Sequence, residues 1–506
     1  MADTPQPQPK FDIHEFRVHG NHVLPNSSIE SAVYPFLGDS KDMDTVKSAA
    51  DALEKAYKDA GFGTVFVDIP EQQVDDGVVR LVVTEGKLDR IRIRGTRFFS
   101  NRQILAALPA VKPGETPRLP EVQEQITALN SRSSDRSITP ILKAGRTPGT
   151  VDMDLAVQDS SPLHVAASVD NRRTADTTPT RTTLSVSYSN LWQRQDTVSL
   201  LYQTAPAQTR NAQVFSASYL GHWSEGLYSL SYLHTNSDVA ALGTLGVLGK
   251  GSIYGAHWLW PIVNTPAATH SINIGVDYKD VVTQVFPSKT TTVGDSVSAP
   301  VTYFNWSAIY SGEWRGETRS LGTSIGLGFG LRGLGNSQAE FENARARGEP
   351  GYLYLRLNGQ ATQALPWGFG VLLRWNGQWT ESPLVNNEQF SIGGADSVRG
   401  YLEAETLGDS GLSGGLELHS PGLPERWGKY LHRLYALAFV DGGVATLVDP
   451  LNSQDYNTRL WSLGAGLRLE NASGLSGAID YAVPRVDGVR TLRGDGRVHF
   501  SVKYDF

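Results

Sequence analysis

Downstream of Pro162 apolar and polar residues alternate, and the alternation runs to the last residue. The final segment shows it most plainly. Val498, Phe500, Val502, Tyr504 and Phe506 fall on one side of an extended chain, with Arg497, His499, Ser501, Lys503 and Asp505 on the other. A period of two is that of a strand with unlike faces. Sixteen such segments are centred near Val165, Leu184, Leu200, Phe215, Leu230, Tyr254, Ile274, Phe304, Ile325, Tyr354, Leu372, Leu416, Ala436, Leu463, Ile479 and Phe500. A membrane strand needs about 10 residues. The connections sort by length. Long ones are Asn236–Lys250, Gln284–Pro300, Gly333–Pro350, Glu381–Gly411, Val448–Asn457 and Arg485–Gly494. Short ones are Gly221–Gly226, Glu313–Thr318, Leu365–Gly368 and Asn471–Gly474, with Ser420–His432 an exception among them. A soluble sandwich also alternates, but it has no reason to put long loops on one rim and short turns on the other. That asymmetry, with an even strand count, predicts an outer-membrane β-barrel of about 16 antiparallel strands over 162–506.

Residues before Pro162 follow another rule. Phe16-Arg17-Val18-His19-Gly20-Asn21 resembles Ile91-Arg92-Ile93-Arg94-Gly95-Thr96, each an alternating strand ending in a Gly turn. After the first copy, Val46, Ala50, Leu53, Tyr57 and Ala60 recur at three- and four-residue steps, which predicts an amphipathic helix over Asp44–Ala60. Asp44 can cap its start and Gly61 its end. Strands follow at Thr64–Ile69 and Val78–Val83. After the second copy come helical stretches at Gln103–Leu108 and Pro120–Asn130, then strands at Ser137–Lys143 and Val151–Val157. Both copies read β-α-α-β-β. The expected division is a tail at 1–10, one α+β module at 11–86, a second at 87–161, and the barrel.

Composition sharpens this picture. Up to Pro162, 42 of 162 residues are charged; beyond it, 55 of 344 are. Glycine shifts the other way, 10 against 41, and all 11 Trp and 17 of the 19 Tyr lie in the second part. Strands and turns favour that mixture; helices do not. Mean hydropathy is −0.27, so the apolar residues are spread thinly rather than in blocks. No run is long and apolar enough for a membrane helix. Met1–Lys10 is rich in Pro and Gln and has the regions of no signal peptide. Cysteine is absent, which excludes disulfides, thiolate metal sites and cysteine nucleophiles. A net charge of −7 argues against nucleic acid as a partner.

Motifs of catalysis fail on context. Gly328–Gly333 spells G-x-G-x-x-G but closes a Gly-alternating strand and opens no helix. Gly411–Gly415 spells G-x-S-x-G, yet Leu416-Glu417-Leu418 continues as a strand. The His residues show no metal spacing, so neither metal nor cofactor is expected, and no enzyme. Arg90, Arg92, Arg94, Arg97 and Arg102 read as a solvated face. One constellation remains. Val398-Arg399-Gly400-Tyr401 sits in the longest loop, 381–411, and Phe439-Val440-Asp441-Gly442-Gly443 ends a strand about 40 residues later. Leu434, Ala436, Ala438 and Val440 make an apolar row suited to lipid, which turns Asp441 and Phe439 toward the lumen.

On these residues the chain resembles the transporters of two-partner secretion, which export haemolysins, filamentous adhesins and contact-dependent toxins and share a superfamily with the barrel-assembly insertase. The resemblance runs from Phe11 to Phe506. It makes the repeats two periplasmic POTRA modules, with Arg136–Pro140, Gly145 and Pro148–Thr150 resembling the second. It makes Val398, Arg399, Gly400 and Tyr401 the tip motif of the sixth extracellular loop, Gly408–Gly411 the run after it, and Asp441, beside Phe439 and Gly443, the wall partner of Arg399. The family's N-terminal plug helix has no counterpart in ten Pro-rich residues. The implied function is export, through the outer membrane of a Gram-negative cell, of an exoprotein captured unfolded by its N-terminal domain. For that capture the expected groove is Val65, Phe66 and Val67 beside Leu53 and Tyr57. Phe500, Tyr504 and Phe506 are the expected C-terminal signal read by the barrel-assembly machinery, in a monomer surrounded by outer-membrane lipid. An insertase for other barrels, a passive porin and a soluble β-rich binding protein are the alternatives. Two modules and a 31-residue loop weigh against the porin.

Overall fold

The computed structural model describes residues 10–506 except 176, 210–211, 225, 238, 243–244, 249, 286–296, 336, 423–432, 453 and 472. The tail before residue 10, most of Gln284–Pro300 and most of Ser420–His432 therefore lie outside the described residues. The chain forms two compact units, 1–162 with 192–195, and 163–191 with 196–506.

The first unit holds two modules of one design. Strand Glu15–His19, helices Asn26–Val33 and Met43–Asp59, and strands Val65–Asp68 and Val78–Glu85 are followed by Lys87–Arg94, Asn101–Ala106, Leu119–Ser131, Arg136–Ala144 and Thr150–Asp159 in the same order. In each three-stranded sheet the last strand is central, parallel to the first and antiparallel to the other. The long helix forms because its apolar positions make one stripe; Val46, Ala50, Leu53 and Tyr57 pack on Val79 and Leu81. Asp42, not Asp44, caps it. The helix starts at Met43, and the Asp42 carboxylate accepts from Thr45 N at 2.9 Å. Hydrogen bonds from the Thr45 hydroxyl and backbone hold that carboxyl below its ordinary range. Asp44 stays in the first turn, where its charge faces the positive end of the helix.

The repeat has a physical cause. Gly20 and Gly95 have φ of +87° and +92°, and a Cβ on either would lie 2.2 Å from a carbonyl oxygen of the central strand, that of Val83 or Val157. Only glycine permits that approach. The turn that follows is held by a carboxylate at the end of the central strand. Glu85 accepts from His22 N and Val23 N at 2.6 and 2.9 Å. Asp159 accepts from the backbone N–H groups of Arg97, Phe98 and Phe99. An additional strand pair, Phe11–Ile13 with Gly38–Lys41, belongs to the first module; it is too short for periodicity to reveal. Within the arginine cluster, Arg92 meets Asp152 at 2.8 Å.

The second unit is a closed antiparallel barrel of sixteen strands among the described residues. Every expected centre falls inside a strand, from Leu163–Asp170 to Arg497–Asp505, and these two close the ring from Ser501↔Asp170 to Asp505↔Ala166. Strand lengths depart from the expected ten. Lys250–Asn264, Ala268–Val285 and Val297–Arg315 have 15, 18 and 19 residues. Their backbone pairing continues beyond the length a bilayer needs, into what periodicity reads as loop. Leu184, Leu230, Ile274, Leu416, Val440 and Phe500 point outward and are exposed, as a lipid-facing belt requires. Trp223, Trp260 and Trp367 stand at the short-turn rim, where an amphipathic ring suits the membrane interface. Gly411–Gly415 lies inside strand Ser410–His419, so it makes no nucleophile elbow.

Candidate functional site

Loop 381–411 folds into the barrel. Its arms pair as a short ladder, Phe390↔Gly408 to Ile392↔Thr406, and the tip between them turns on Gly393 and Gly394, with φ of +105° and +111°. The tip docks on the inner wall. Arg399 is 2 % exposed and Asp441 fully buried. Arg399 Nε donates to Asp441 Oδ2 at 2.6 Å, its Nη2 to Oδ1 at 2.9 Å, and its backbone N to Oδ2 at 3.2 Å. The Arg399 guanidinium carbon lies 3.4 Å from the ring centroid of Phe439. That contact explains an aromatic side chain on the lumen face: it is the floor on which the planar cation stacks.

Each neighbour in the tip motif has its own seat. Gly400 has φ of +94°, and its N donates to His499 Nε2 at 2.9 Å. A Cβ there would sit 3.1 Å from Pro484. The Tyr401 hydroxyl donates toward the carbonyl oxygens of Trp461 and Val486, at 3.1 and 2.8 Å. Val398 is fully buried with Ile392 and Leu460. Gly443 clears space on the wall; a Cβ there would meet Ser413 and Ile392 at 3.1 and 3.2 Å.

Sequence reasoning missed most of the charges around this pair. Arg399 also meets Glu417 at 2.8 Å and Asp480 at 3.6 Å. Arg374 shares Asp441 at 2.9 Å, and Arg468 grips Asp480 with two bonds of 2.7 and 2.9 Å. Three cations thus face three carboxylates. A signal for the acids existed. Glu417 lies between the exposed Leu416 and Leu418, and Asp480 between the exposed Ile479 and Tyr481. The parity argument that turned Asp441 inward applies equally to both.

The expected groove in the first module needs correction. Leu53, Tyr57 and Val65 are fully buried and Val67 is partly covered. The helix packs directly on the sheet, so those side chains form the module's core and line no opening. What remains on that strand is its free edge and Phe66, 57 % exposed. At the C-terminus Phe500, Tyr504 and Phe506 all point outward; Tyr504 and Phe506 stack edge-to-face, and Phe506 N donates to Val165 O at 2.9 Å. No cluster able to hold a metal is present among the described residues.

Comparison with known proteins agrees with the fold. The family model for haemolysin secretion/activation protein ShlB/FhaC/HecB matches residues 149–469, and that for the ShlB-type POTRA domain matches 11–86. The heme/hemopexin transporter protein HuxB of Haemophilus influenzae (strain 86-028NP) is 21% identical over 94% of this chain and 84% of its own length. The outer membrane transporter CdiB of Dickeya dadantii is 22% identical over 87% and 77%. Among solved structures, CdiB from Escherichia coli superposes with a TM-score of 0.64 at 16% identity, covering all of this chain and 92% of that one. BamA from Haemophilus ducreyi lacking POTRA domains 1–3 gives 0.58 at 13%, covering 98% and 100%. At such identities these two likenesses concern the fold alone.

Proposed function

This chain belongs to the haemolysin secretion/activation family ShlB/FhaC/HecB, and from that premise we propose how it exports its partner. It is an outer-membrane transporter of two-partner secretion, with its POTRA region in the periplasm and a secreted protein as its cargo. In the proposed route the modules at 11–86 and 87–161 take up the N-terminal domain of the unfolded exoprotein by adding a strand to an open sheet edge. The edge strand Val65–Asp68, with Phe66 exposed beside it, offers backbone groups for such pairing. The exoprotein then threads the barrel as a single chain and folds outside, which gives the movement its direction without nucleotide.

The observation that carries this reading is the loop tip seated in the lumen, with Arg399 buried on Asp441. A passive pore needs no buried charge to hold a loop inside it. We assign the tip motif Val398–Tyr401 to controlling passage, and the C-terminal Phe500, Tyr504 and Phe506 to recognition by the barrel-assembly machinery. The proposed transporter works as a monomer in outer-membrane lipid, takes no cofactor or nucleic acid, and catalyses no reaction.

The test is secretion by a strain carrying this chain and a cognate exoprotein. Exoprotein in the medium, lost on deletion of 11–161 while the barrel still assembles, is expected. Unchanged secretion after that deletion would refute capture by the modules. The insertase alternative predicts instead that depletion lowers the amounts of other outer-membrane barrels while secretion persists.

A further inference from the structure

Loop 381–411 meets the wall at a second place, before its tip. Glu388 is fully buried. Its Oε1 accepts from Lys279 Nζ at 2.5 Å and from the Tyr303 hydroxyl at 2.6 Å, and its Oε2 from the Tyr354 hydroxyl at 2.9 Å. The backbone is gripped too: the Glu388 carbonyl oxygen accepts from Gln378 Nε2 at 2.8 Å and Arg356 Nη2 at 3.2 Å. These donors stand on four strands, Ala268–Val285, Val297–Arg315, Leu353–Ala364 and Gly370–Thr380. The acceptors of Arg399 stand on others, Ser410–His419, Arg433–Thr446 and Leu475–Pro484. Two anchors eleven residues apart in sequence therefore hold the loop to separate arcs of the ring.

The chemistry of the second anchor is that of a lock rather than of a stability core. Leu384 and Val385 already seat the arm on Tyr303, Phe341 and Tyr352. Apolar packing of that kind holds at least as well as a buried ion pair. A carboxylate stripped of water is tolerated only where donors surround it, so it fixes one position closely. Once its donors separate and water enters, the separated groups are hydrated, so the tether releases in one step and re-forms when carboxylate and donors meet again.

We propose that Glu388 is a positioning residue for export, a second tether that with Arg399 stretches the loop across the lumen and keeps the outer half of the pore closed between export events. The timing rests on the export reading; the closure is measured with no exoprotein present. The full chain and its Glu388→Ala and Glu388→Gln variants are placed in planar bilayers, with heat-modifiability on gels reporting barrel folding. Glu388→Ala should raise the open fraction about tenfold or more. Glu388→Gln should fall between, because the amide oxygen still accepts from one phenol, while its NH2 cannot accept from the other and Lys279 is left without its counter-ion. Exchanging the charges, Glu388→Lys with Lys279→Glu, should return the open fraction toward that of the parent. If Glu388→Ala fails to fold, Glu388→Gln decides. A folded Glu388→Gln barrel with the open fraction of the parent overturns the tether. Secretion assayed in parallel separates the two ideas, since a chain that secretes no exoprotein at all refutes the export reading and leaves the conductance result standing.

Discussion

Replacing Arg399 or Asp441 perturbs a cluster whose charges balance, three cations against three carboxylates. Either single change therefore leaves one uncompensated charge in a dehydrated site, and breaking a buried pair this way costs about 3–5 kcal/mol. The remaining partners of the unpaired group bring each variant to the low end of that range or just below it. In Arg399→Ala, Asp441 keeps Arg374 at 2.9 Å, which places the loss near the lower end, about 3 kcal/mol. In Asp441→Ala, Arg399 keeps Glu417 at 2.8 Å and Asp480 at 3.6 Å, so the loss is somewhat smaller, about 2–3 kcal/mol. The double variant is again neutral and should be no worse than the worse single, a coupling of about 2 kcal/mol. In secretion rate that is a deficit about thirtyfold smaller than the product of the single deficits. Arg399→Lys should fail to rescue, because an ammonium cannot make two parallel bonds to Asp441 or stack flat on Phe439. The assay is exoprotein release over time for the parent, both singles and the double, corrected for folded barrel by heat-modifiability. Strictly additive losses in log rate would refute the coupling. Loss of folded barrel in either single would show that the pair builds the wall rather than docks the loop.

Other outcomes follow from the modules and the termini. Glu85→Ala and Asp159→Ala each strip the acceptor from two or three backbone N–H groups that are at most partly buried, so each should lower the stability of its own module by about 1–2 kcal/mol. Hydrogen exchange should show protection lost in one module and kept in the other. Gly95→Ala forces a Cβ to 2.2 Å from Val157 O and should destabilise the second module by about 2 kcal/mol or more; an unchanged melting transition would contradict the close approach. A fragment of residues 1–161 should be soluble and bind the exoprotein's N-terminal domain at about micromolar affinity, because the ligand is ordered on binding; calorimetry with both pieces tests it. Phe506→Ala removes the partner of Tyr504 in the edge-to-face stack and should reduce the assembled fraction, read as heat-modifiable protein in outer-membrane preparations.

What the chain settled alone is what local physics settles. Period-two alternation identified sixteen strands because lipid outside and water inside make the two faces of every strand unlike. The same rule turned Asp441 inward. The three-and-four spacing found the helix that ends at Asp59, and recurring Gly20 and Gly95 revealed the duplicated module, since only glycine fits beside Val83 O and Val157 O. Tertiary structure decided which inward groups meet. Glu388 and Lys279 are 109 residues apart, and Arg399 and Asp480 lie on different elements; no periodicity encodes such distances. It also decided that Leu53, Tyr57 and Val65 are core rather than groove. An amphipathic helix beside a strand reads alike in sequence whether the space between them is open or filled, and only packing distinguishes the two. Loop 381–411 is the extreme case. Its sequence carries Glu388 and Arg399, charges costly to bury in isolation, and the partners that offset them stand on strands brought together only when the barrel closes.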